Sequence, residues 1–344
     1  MLGSGGFCMI VHRQSSRRKF LQSGLAGAAA LAYATAPVRL TAATGTAADA
    51  PHDNALGFRE RYVSRPDGHR LYVRDYPGDG IPFVMVHGFP DNCQIYSTLG
   101  SLLSAAGRRA IAFDFLGFGS SDKPAGYAYS FEQQLTDLKA VVADLGLETV
   151  VPVAHDAGGP AAINFALDHA SRVSSLVLLN CYYASSPVLR FPEFIELCAN
   201  PQLTALSRAL MTDPKQAAWL LQFQQSRFLE GAPAALRARF DSVLQPIIND
   251  NFAKPPSSVP AFLSMAADAR SNLAFNSRRT ASLRQFTSPV HLVWGTQDPY
   301  LNKAVADDIA AHFPKAVLTG LEANHWPQID APEVVARAML SAAR

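Results

Sequence analysis

One aspartate in this chain lies at a position whose neighbours suit a reactive side chain. Residues 149–159 read as a buried strand that ends in a tight turn and opens a helix, with Asp156 at the turn. Ala154 and Gly158 are small enough to allow a strained turn that lifts its central side chain above a sheet. A carboxylate held there predicts attack on a saturated carbon, such as one bearing a halide or an epoxide oxygen. The product is an ester of Asp156, which water must then hydrolyse.

The segments around Asp156 alternate between strand-like and helix-like patterns. An antiparallel pair is predicted over Phe58–Ser64 and His69–Tyr76, with a turn at residues 66–68. The later apolar segments predict a mostly parallel sheet flanked by helices, which is an α/β fold. The predicted strands are Ile81–Val86, Arg109–Asp114, the strand that carries Asp156, Val173–Leu179, Pro289–Trp294 and Ala316–Thr319, and the predicted helices are Gln94–Ala106, Ser130–Leu145, Pro160–His169, Asn302–His312 and one from Pro332.

A long interruption divides this alternation. Residues 185–285 have helical stretches and several prolines but no convincing strand. A helical insertion between two core strands is typical of a cap over the carboxyl edge of the sheet, where such folds place their sites. The predicted organisation is therefore a core in two parts, residues 51–184 and 286–344, with a helical cap over residues 185–285.

The first 50 residues predict export. Paired arginines, Arg17 and Arg18, precede Phe20-Leu21 and a Gly- and Ala-rich apolar run over residues 24–34. This pattern resembles a twin-arginine signal peptide followed by a linker, which predicts a periplasmic or secreted bacterial protein. The apolar run is too short and too mild for a spanning helix, so no membrane span is expected in the mature chain.

Composition excludes several function classes. The 344 residues are 49% hydrophobic and 17% charged, which suits one or two globular domains. Residues 51–344 hold 25 basic and 27 acidic residues, so neither a nucleic-acid partner nor an anionic membrane surface is indicated. No metal-ligand spacing, dinucleotide fingerprint or phosphate loop occurs, so no metal and no cofactor are expected. Cys93, Cys181 and Cys198 read as small buried residues.

Five motifs in order give the chain a family resemblance. They are His87-Gly-Phe-Pro90, residues 113–124 (Phe-Asp-Phe-Leu-Gly-Phe-Gly-Ser-Ser-Asp-Lys-Pro), His155-Asp-Ala-Gly-Gly159, Gly295-Thr-Gln-Asp-Pro299 and Asn324-His-Trp-Pro-Gln328. Together they resemble the α/β-hydrolase fold. The branch they match has an aspartate nucleophile and includes epoxide hydrolases, haloalkane dehalogenases and haloacetate dehalogenases. The resemblance covers nearly everything after residue 58, although it is weak in the cap.

The resemblance implies a role for each motif residue. Asp156 would be the nucleophile, His325 the base that activates water, and Asp298 the acid that orients the imidazole. Some relatives place this acid after the preceding core strand, where this chain has the uncharged Asn180. The backbone N–H groups of Phe89 and Ala157 would form the oxyanion hole. His87 and His155 resemble positions that brace the turns.

The substrate class stays open between four interpretations. An epoxide hydrolase-like enzyme on a small apolar substrate, with water as co-substrate, is favoured. It needs an acid for the epoxide oxygen, and the candidates are Tyr182, Tyr183 and Tyr300, since residues 185–284 contain no tyrosine. A haloalkane dehalogenase-like enzyme with a non-standard halide site would depend on Trp219, because Ala157 and Phe89 replace the usual halide-binding residues. The other two interpretations are another aspartate-nucleophile hydrolase and a non-catalytic binder of small ligands.

Overall fold

The computed structural model describes residues 52–53 and 57–342 of the 344-residue chain. The export signal predicted over residues 1–50 lies outside the described residues and stays a prediction. The described residues belong to one compact unit. Within it, hydrophobic side chains from the sheet and the helices merge into a single core.

A nine-stranded sheet forms the centre of this unit, in the order β1-β2-β3-β5-β4-β6-β7-β8-β9. Strands β1 to β3 pair antiparallel, β3 also pairs antiparallel with β5, and all other pairs are parallel. The prediction of a mostly parallel sheet is confirmed. The strands are β1 His52–Asp53, β2 Arg59–Ser64, β3 Arg70–Tyr76, β4 Asp79–Val86, β5 Arg108–Phe113, β6 Val151–Asp156, β7 Leu176–Cys181, β8 Val290–Gly295 and β9 Ala316–Leu321.

Thirteen α-helices accompany the sheet in the described part of the chain, and seven of them lie between β7 and β8. The helices are α1 Ser97–Ala105, α2 Phe131–Asp144, α3 Gly159–Asp168, α4 Glu193–Ala199, α5 Thr204–Thr212, α6 Pro214–Phe228, α7 Ala234–Arg239, α8 Gln245–Ala253, α9 Val259–Ser277, α10 Thr280–Leu283, α11 Lys303–Ala311, α12 Pro327–Asp330 and α13 Pro332–Ala342. The predicted fold class, with a helical cap inserted between core strands, is confirmed. The residue boundaries of the cap stay a prediction.

Local sequence explains why the central elements form. Strands β6 and β7 are almost continuous apolar runs, and every residue in them except Asp156 is buried, as expected for parallel strands covered on both faces. Helix α3 packs directly against both strands. Helix α2 begins where the Ser130 hydroxyl accepts the N–H of Gln133 at 3.1 Å, which satisfies a free donor of its first turn. These elements hold the end of β6 rigidly.

Strand β7 differs from its prediction at both ends. It begins at Leu176 rather than at residue 173, because Val173 forms only an isolated bridge with Val150. It ends at Cys181, so Asn180 lies inside the strand with a φ of 30°. The side-chain oxygen of Asn180 accepts the N–H of Gly295 at 2.7 Å, and this bond to β8 keeps the residue in the sheet.

The helical path from α7 to α8 contains one irregular turn. Residues Phe240–Leu244 form a π-helix, and Pro246 follows at the start of α8. Proline has no N–H to donate, so the α-helical ladder is interrupted there, and a wider turn accommodates the break.

One sequence prediction about the remaining chain can be compared with the structure. Cys93, Cys181 and Cys198 are free, buried thiols, which confirms their interpretation as small buried residues. Among the described residues, no helix is both long and apolar enough to cross a bilayer. The same residues contain no cluster of three or more side chains suited to a metal ion.

Candidate active site

Asp156 occupies a strained position at the carboxyl end of β6. Its φ is +48°, in the left-handed region that non-glycine residues rarely adopt. The carboxylate stands against Gly88, where any side chain would overlap it. A Cβ at residue 158 would lie 2.8 Å from the carbonyl oxygen of His87, which explains the second glycine of the turn. The small neighbours predicted from the sequence thus serve a turn that presents Asp156 above the sheet.

His325 lies in the loop between β9 and α12 and connects two carboxylates. Its Nδ1 is 2.6 Å from Oδ2 of Asp298, and its Nε2 is 3.9 Å from Oδ1 of Asp156. The first contact is a charge-assisted hydrogen bond that fixes the imidazole. The second separation exceeds a hydrogen bond and suits a base that acts on a water held beside the carboxylate.

Asp298 is fully enclosed, and its oxygens are all engaged. Oδ1 accepts the backbone N–H groups of Tyr300 at 2.9 Å and Leu301 at 3.0 Å. Oδ2 accepts the amide of Asn180 at 3.0 Å in addition to the imidazole of His325. Four donors therefore stabilise an ionised carboxylate here, and Asn180 contributes as a donor to the acid.

Burial and charge shift the three ionisable groups in different directions. Burial opposes ionisation of Asp298, but the charge and hydrogen bond of His325 outweigh it and hold its pKa below the usual range. Burial also disfavours the charged imidazole, yet the carboxylates of Asp298 and Asp156 raise the pKa of His325 to about 9. For Asp156, burial dominates over the nearby imidazoles, and its pKa lies above the usual range. His325 therefore holds its proton more firmly than a free imidazole does, because two carboxyl groups face it.

The two residues predicted for an oxyanion hole both lie near Asp156. The N–H of Ala157 donates to the Asp156 carboxylate and favours its charged form. Phe89 follows Gly88 in the turn after β4, and it lines the cavity in front of Asp156. The role of these two N–H groups as an oxyanion hole stays a prediction.

A small cavity of about 60 Å³ opens in front of Asp156 and His325. Most of its wall is apolar and comes from the cap, and the few polar groups are Asp91, Tyr182, Gln224 and Gln225. The apolar residues of the wall include Phe191, Phe194, Ile195, Leu221, Phe228, Ile248 and Trp326. Such a lining favours a small apolar group over an ionic one.

Of the four candidate leaving-group contacts, one lies at this cavity. Tyr182 lines it, and its hydroxyl has no hydrogen-bond partner within residues 57–342. Burial and the Asp156 charge raise the pKa of Tyr182 well above its usual value, so the phenol stays protonated. Tyr183 instead donates to Asn164 at 2.9 Å, outside the cavity wall.

The other two candidates are also placed elsewhere. The hydroxyl of Tyr300 donates to Glu193 and accepts the amide of Gln224 at 2.9 Å, which engages both of its hydrogen-bonding functions. Trp219 is 58% exposed on the outer face of α6 and stacks on Phe223, with ring centroids 5.8 Å apart. The structure therefore does not bring Tyr183, Tyr300 or Trp219 to the cavity. Whether a side chain faces the cavity depends on how its helix or loop packs, and the sequence pattern alone does not determine that packing.

The two histidines predicted as braces make bracing contacts. Nε2 of His87 accepts the N–H of Phe115 at 3.1 Å, and its Nδ1 lies 2.5 Å from the carbonyl of Gly88. Nε2 of His155 lies 2.8 Å from the carbonyl of His325. Each ring ties a catalytic turn to a neighbouring segment.

A buried pair, Asp91 and Trp326, was not singled out from the sequence. The indole N–H of Trp326 donates to Oδ2 of Asp91 at 2.9 Å, and Nδ1 of His155 lies 3.5 Å from the same oxygen. Burial opposes ionisation of Asp91, but the contacts with His155 and Trp326 keep its pKa low. The only available signal was a carboxylate directly after the His-Gly-Phe-Pro turn.

A cap residue also reaches this turn. Nδ2 of Asn251, on α8, donates to the carbonyls of Pro90 at 2.6 Å and Asp91 at 3.0 Å. Its Oδ1 accepts the N–H of Gly119 at 3.0 Å. One buried amide thus joins the cap to two loops at the carboxyl edge of the sheet.

Comparisons with known proteins agree with this architecture. The family model described as alpha/beta hydrolase fold matches residues 81–332. Haloalkane dehalogenase 2 of Mycobacterium tuberculosis (strain H37Rv) is 27% identical over 298 residues, which cover 84% of this chain and 96% of that protein. The cis-3-alkyl-4-alkyloxetan-2-one decarboxylase of Shewanella oneidensis (strain MR-1) is 29% identical over 292 residues, covering 82% and 87%. The structure of epoxide hydrolase CorEH without ligand has a TM-score of 0.65 at 20% identity, covering 82% of this chain and 98% of that one, and supports the fold alone.

Proposed function

The chain belongs to the α/β-hydrolase family and is an enzyme of it, and we propose that it hydrolyses a strained cyclic ether, an epoxide, through a covalent ester on Asp156. Asp156, His325 and Asp298 would be the catalytic residues, with the N–H groups of Phe89 and Ala157 as the oxyanion hole. The contacts of 2.6 Å and 3.9 Å around His325 support this assignment.

The first step would open the ring. An oxygen of ionised Asp156 attacks a ring carbon, a C–O bond forms to the enzyme, and the C–O bond of the epoxide breaks. The departing oxygen takes a proton from the hydroxyl of Tyr182. Tyr182 lines the cavity, and its hydroxyl carries no other hydrogen bond within the described residues. Burial and the Asp156 charge raise the pKa of the phenol well above its usual value, so it keeps its proton.

The second step would release the product. The imidazolium of His325 first passes its proton to the phenolate of Tyr182. Its neutral Nε2 then removes a proton from water, and the resulting hydroxide attacks the carbonyl carbon of the Asp156 ester. The N–H groups of Phe89 and Ala157 stabilise the negative oxygen that develops. When the ester C–O bond breaks, the departing oxygen takes the proton of the added hydroxyl, so the diol leaves, Asp156 regains its carboxylate and His325 keeps the proton from water, which balances the reaction of one epoxide with one water.

One observation favours epoxides over haloalkanes. A halide leaving group needs N–H donors such as indoles, and the chain has three tryptophans. The N–H of Trp294 donates to the Leu301 carbonyl at 2.6 Å, that of Trp326 donates to Asp91, and Trp219 is exposed on the cap. No indole N–H at the cavity is therefore free to bind a halide, whereas the phenol of Tyr182 is available to protonate an oxygen.

Dehalogenation is the second candidate, because a relative 27% identical over 84% of the chain is named a haloalkane dehalogenase. A halide site in this chain would have to be built from the N–H groups of Phe89 and Ala157 alone. The two reactions leave different groups on Asp156, so a direct test distinguishes them.

The test is the intact mass of a His325→Gln variant after incubation with 1,2-epoxyalkanes, 1-bromoalkanes and a cis-3,4-dialkyloxetan-2-one. Without its base the enzyme should accumulate the ester. We expect a mass increase equal to a whole epoxide, mapped to Asp156 by peptide sequencing. An alkyl group without bromine would establish dehalogenation instead. No adduct from any of the three classes would contradict the covalent mechanism.

A second arm tests the proposed proton donor. In a His325→Gln/Tyr182→Phe variant, ester formation from epoxides should slow by about 10² to 10⁴, the usual contribution of a positioned acid. Ester formation from any reactive bromoalkane should stay unchanged, since bromide needs no proton. Tyr183→Phe is the matched control, because its hydroxyl donates to Asn164 outside the cavity. Equal epoxide rates in the Tyr182 and Tyr183 variants would remove Tyr182 from the mechanism.

The rate of ester hydrolysis should rise with pH. Its apparent pKa should be lower than the pKa of His325 in the free enzyme. The Asp156 carboxylate helps to raise the pKa of His325 to about 9, and esterification removes its charge. The imidazole then loses its proton more readily, and only the neutral form acts as a base. Nuclear magnetic resonance titration of His325 should show a lower pKa in Asp156→Ala than in wild type. An unchanged value would refute this coupling.

A further inference from the structure

A groove of about 690 Å³ lies in the cap, outside the catalytic cavity. It is formed by the end of α5, by α6 and α8, and by the start of α9. Among the described residues that line it, none carries a charge, and many are apolar, including Met211, Ala217, Phe252, Val259 and Pro260. Such a surface suits an uncharged apolar chain.

Two side chains are shared by the walls of this groove and the catalytic cavity. Leu221 and Gln225 line both spaces, and within the described chain they are the residues common to the two walls. They lie four residues apart on α6 and therefore project from the same face of the helix. These two buried side chains therefore form part of the partition between groove and cavity.

Gln225 is held in the partition by an amide cluster from α8. Its Nε2 donates to Oδ1 of Asn249 at 3.1 Å, and its Oε1 accepts the amide of Gln245 at 3.3 Å. Gln245 directly follows the π-helical turn, and both it and Asn249 line the groove. Both bonds join neutral amides and are individually weak, so rotation of the Gln225 side chain is the movement by which a passage between the two spaces would open.

The sizes of the two spaces point to a division of the substrate between them. A cavity of about 60 Å³ has room for a few waters, or for a reactive group with a short stub. The groove is more than ten times larger. We propose that the groove binds the unbranched apolar chain of the substrate, and that the reactive end reaches Asp156 past Leu221 and Gln225. The placement of the reactive end depends on the function proposed above, whereas binding of the chain does not.

The proposal specifies a substrate class. Long-chain terminal epoxides would be better substrates than compact ones, because each methylene that enters the groove should raise binding about fourfold until the groove is full. A chain that ends in a charged group would be excluded, since the groove has no charged partner for it.

Two exposed residues allow the groove to be filled without altering the catalytic cavity. Ala218 and Gln222 line the groove but not the cavity. In the His325→Gln background, Ala218→Trp and Gln222→Trp should each slow ester formation from 1,2-epoxydecane at least tenfold. The rate with 1,2-epoxybutane should stay within twofold, and 1-bromodecane and 1-bromobutane would be compared in parallel. Ala235→Trp, at an exposed alanine of α7 outside both spaces, is the matched control. If both groove variants keep the decane rate, or lose both rates equally, the proposal is overturned.

A binding measurement separates failure of this proposal from failure of the proposed reaction. We expect 1-decanol, which cannot react, to raise the melting temperature of the wild type and of Ala235→Trp more than 1-butanol does. That difference should disappear in Ala218→Trp and Gln222→Trp. If no compound esterifies Asp156 but the decanol effect follows this pattern, the proposed reaction is wrong, while the proposal that the groove binds an apolar chain is supported. Equal stabilisation of all variants, or none of the wild type, overturns the groove.

Discussion

The Asp156→Ala variant is expected to lose at least about 10⁴-fold in kcat/KM, because no other group can take up the alkyl carbon. The 3.9 Å between Asp156 and Nε2 of His325 leaves the histidine able to activate water, but no ester is then available for that water to attack. The loss should appear with every substrate that the wild type hydrolyses, and intact mass should show no adduct. Steady-state kinetics with product detection measures both.

The control for this variant is Asp144→Ala, which removes an exposed carboxylate at the end of α2. It should keep wild-type activity. The melting temperature of Asp156→Ala should not fall below that of the wild type by more than a few degrees, since the cost of desolvating this partly buried carboxylate is lost along with its contacts. Retention of more than a tenth of the wild-type activity by Asp156→Ala would contradict a nucleophilic role.

The second large effect is expected for Asp298→Asn, at about 10³- to 10⁴-fold in kcat. The amide keeps the size of the carboxylate and can still accept the N–H groups of Tyr300 and Leu301. It removes the charge that fixes the Nδ1–H tautomer of His325 and raises its pKa. Rapid-quench experiments should show that ester hydrolysis slows far more than ester formation, so that the Asp156 ester accumulates.

A control variant at another carboxylate tests whether the effect comes from the charge beside the imidazole or from the loss of any negative charge. Asp308→Asn changes an acidic side chain of α11 that has no contact with His325, and it should retain wild-type kinetics. If Asp298→Asn slowed ester formation and hydrolysis equally, or slowed neither by more than tenfold, Asp298 would not be the residue that orients the base.

The elements that present the reactive groups follow from local rules, so the sequence predicts them well. Asp156 was identifiable because a sharp turn between a strand and a helix needs small residues at fixed offsets. Gly158 is one of them, since a Cβ there would lie only 2.8 Å from the carbonyl oxygen of His87. Asp298 and His325 each follow a strand, so the sheet order places them at one edge.

Contacts between distant segments could not be predicted in the same way. Asp91 and Trp326 are separated by 235 residues, and nothing in either local pattern indicates that the indole bonds the carboxylate. Trp219 was considered as a halide contact because it lies in the cap. The rotation of α6 about its axis, which depends on the packing of neighbouring helices, turns it outward. Packing between distant segments likewise decides that Tyr182, rather than Tyr183 or Tyr300, lines the cavity.

Asn251 has a consequence for how this enzyme could be recombined with its relatives. Its amide holds the carbonyls of Pro90 and Asp91, so the cap and the turn beside Asp156 share hydrogen bonds that neither can satisfy alone. A chimera that receives a foreign cap would leave those carbonyls and the N–H of Gly119 without their partner. The cap and the turn should therefore be exchanged together, because a graft of both preserves the hydrogen bonds of Asn251 that a swap of the cap alone would break.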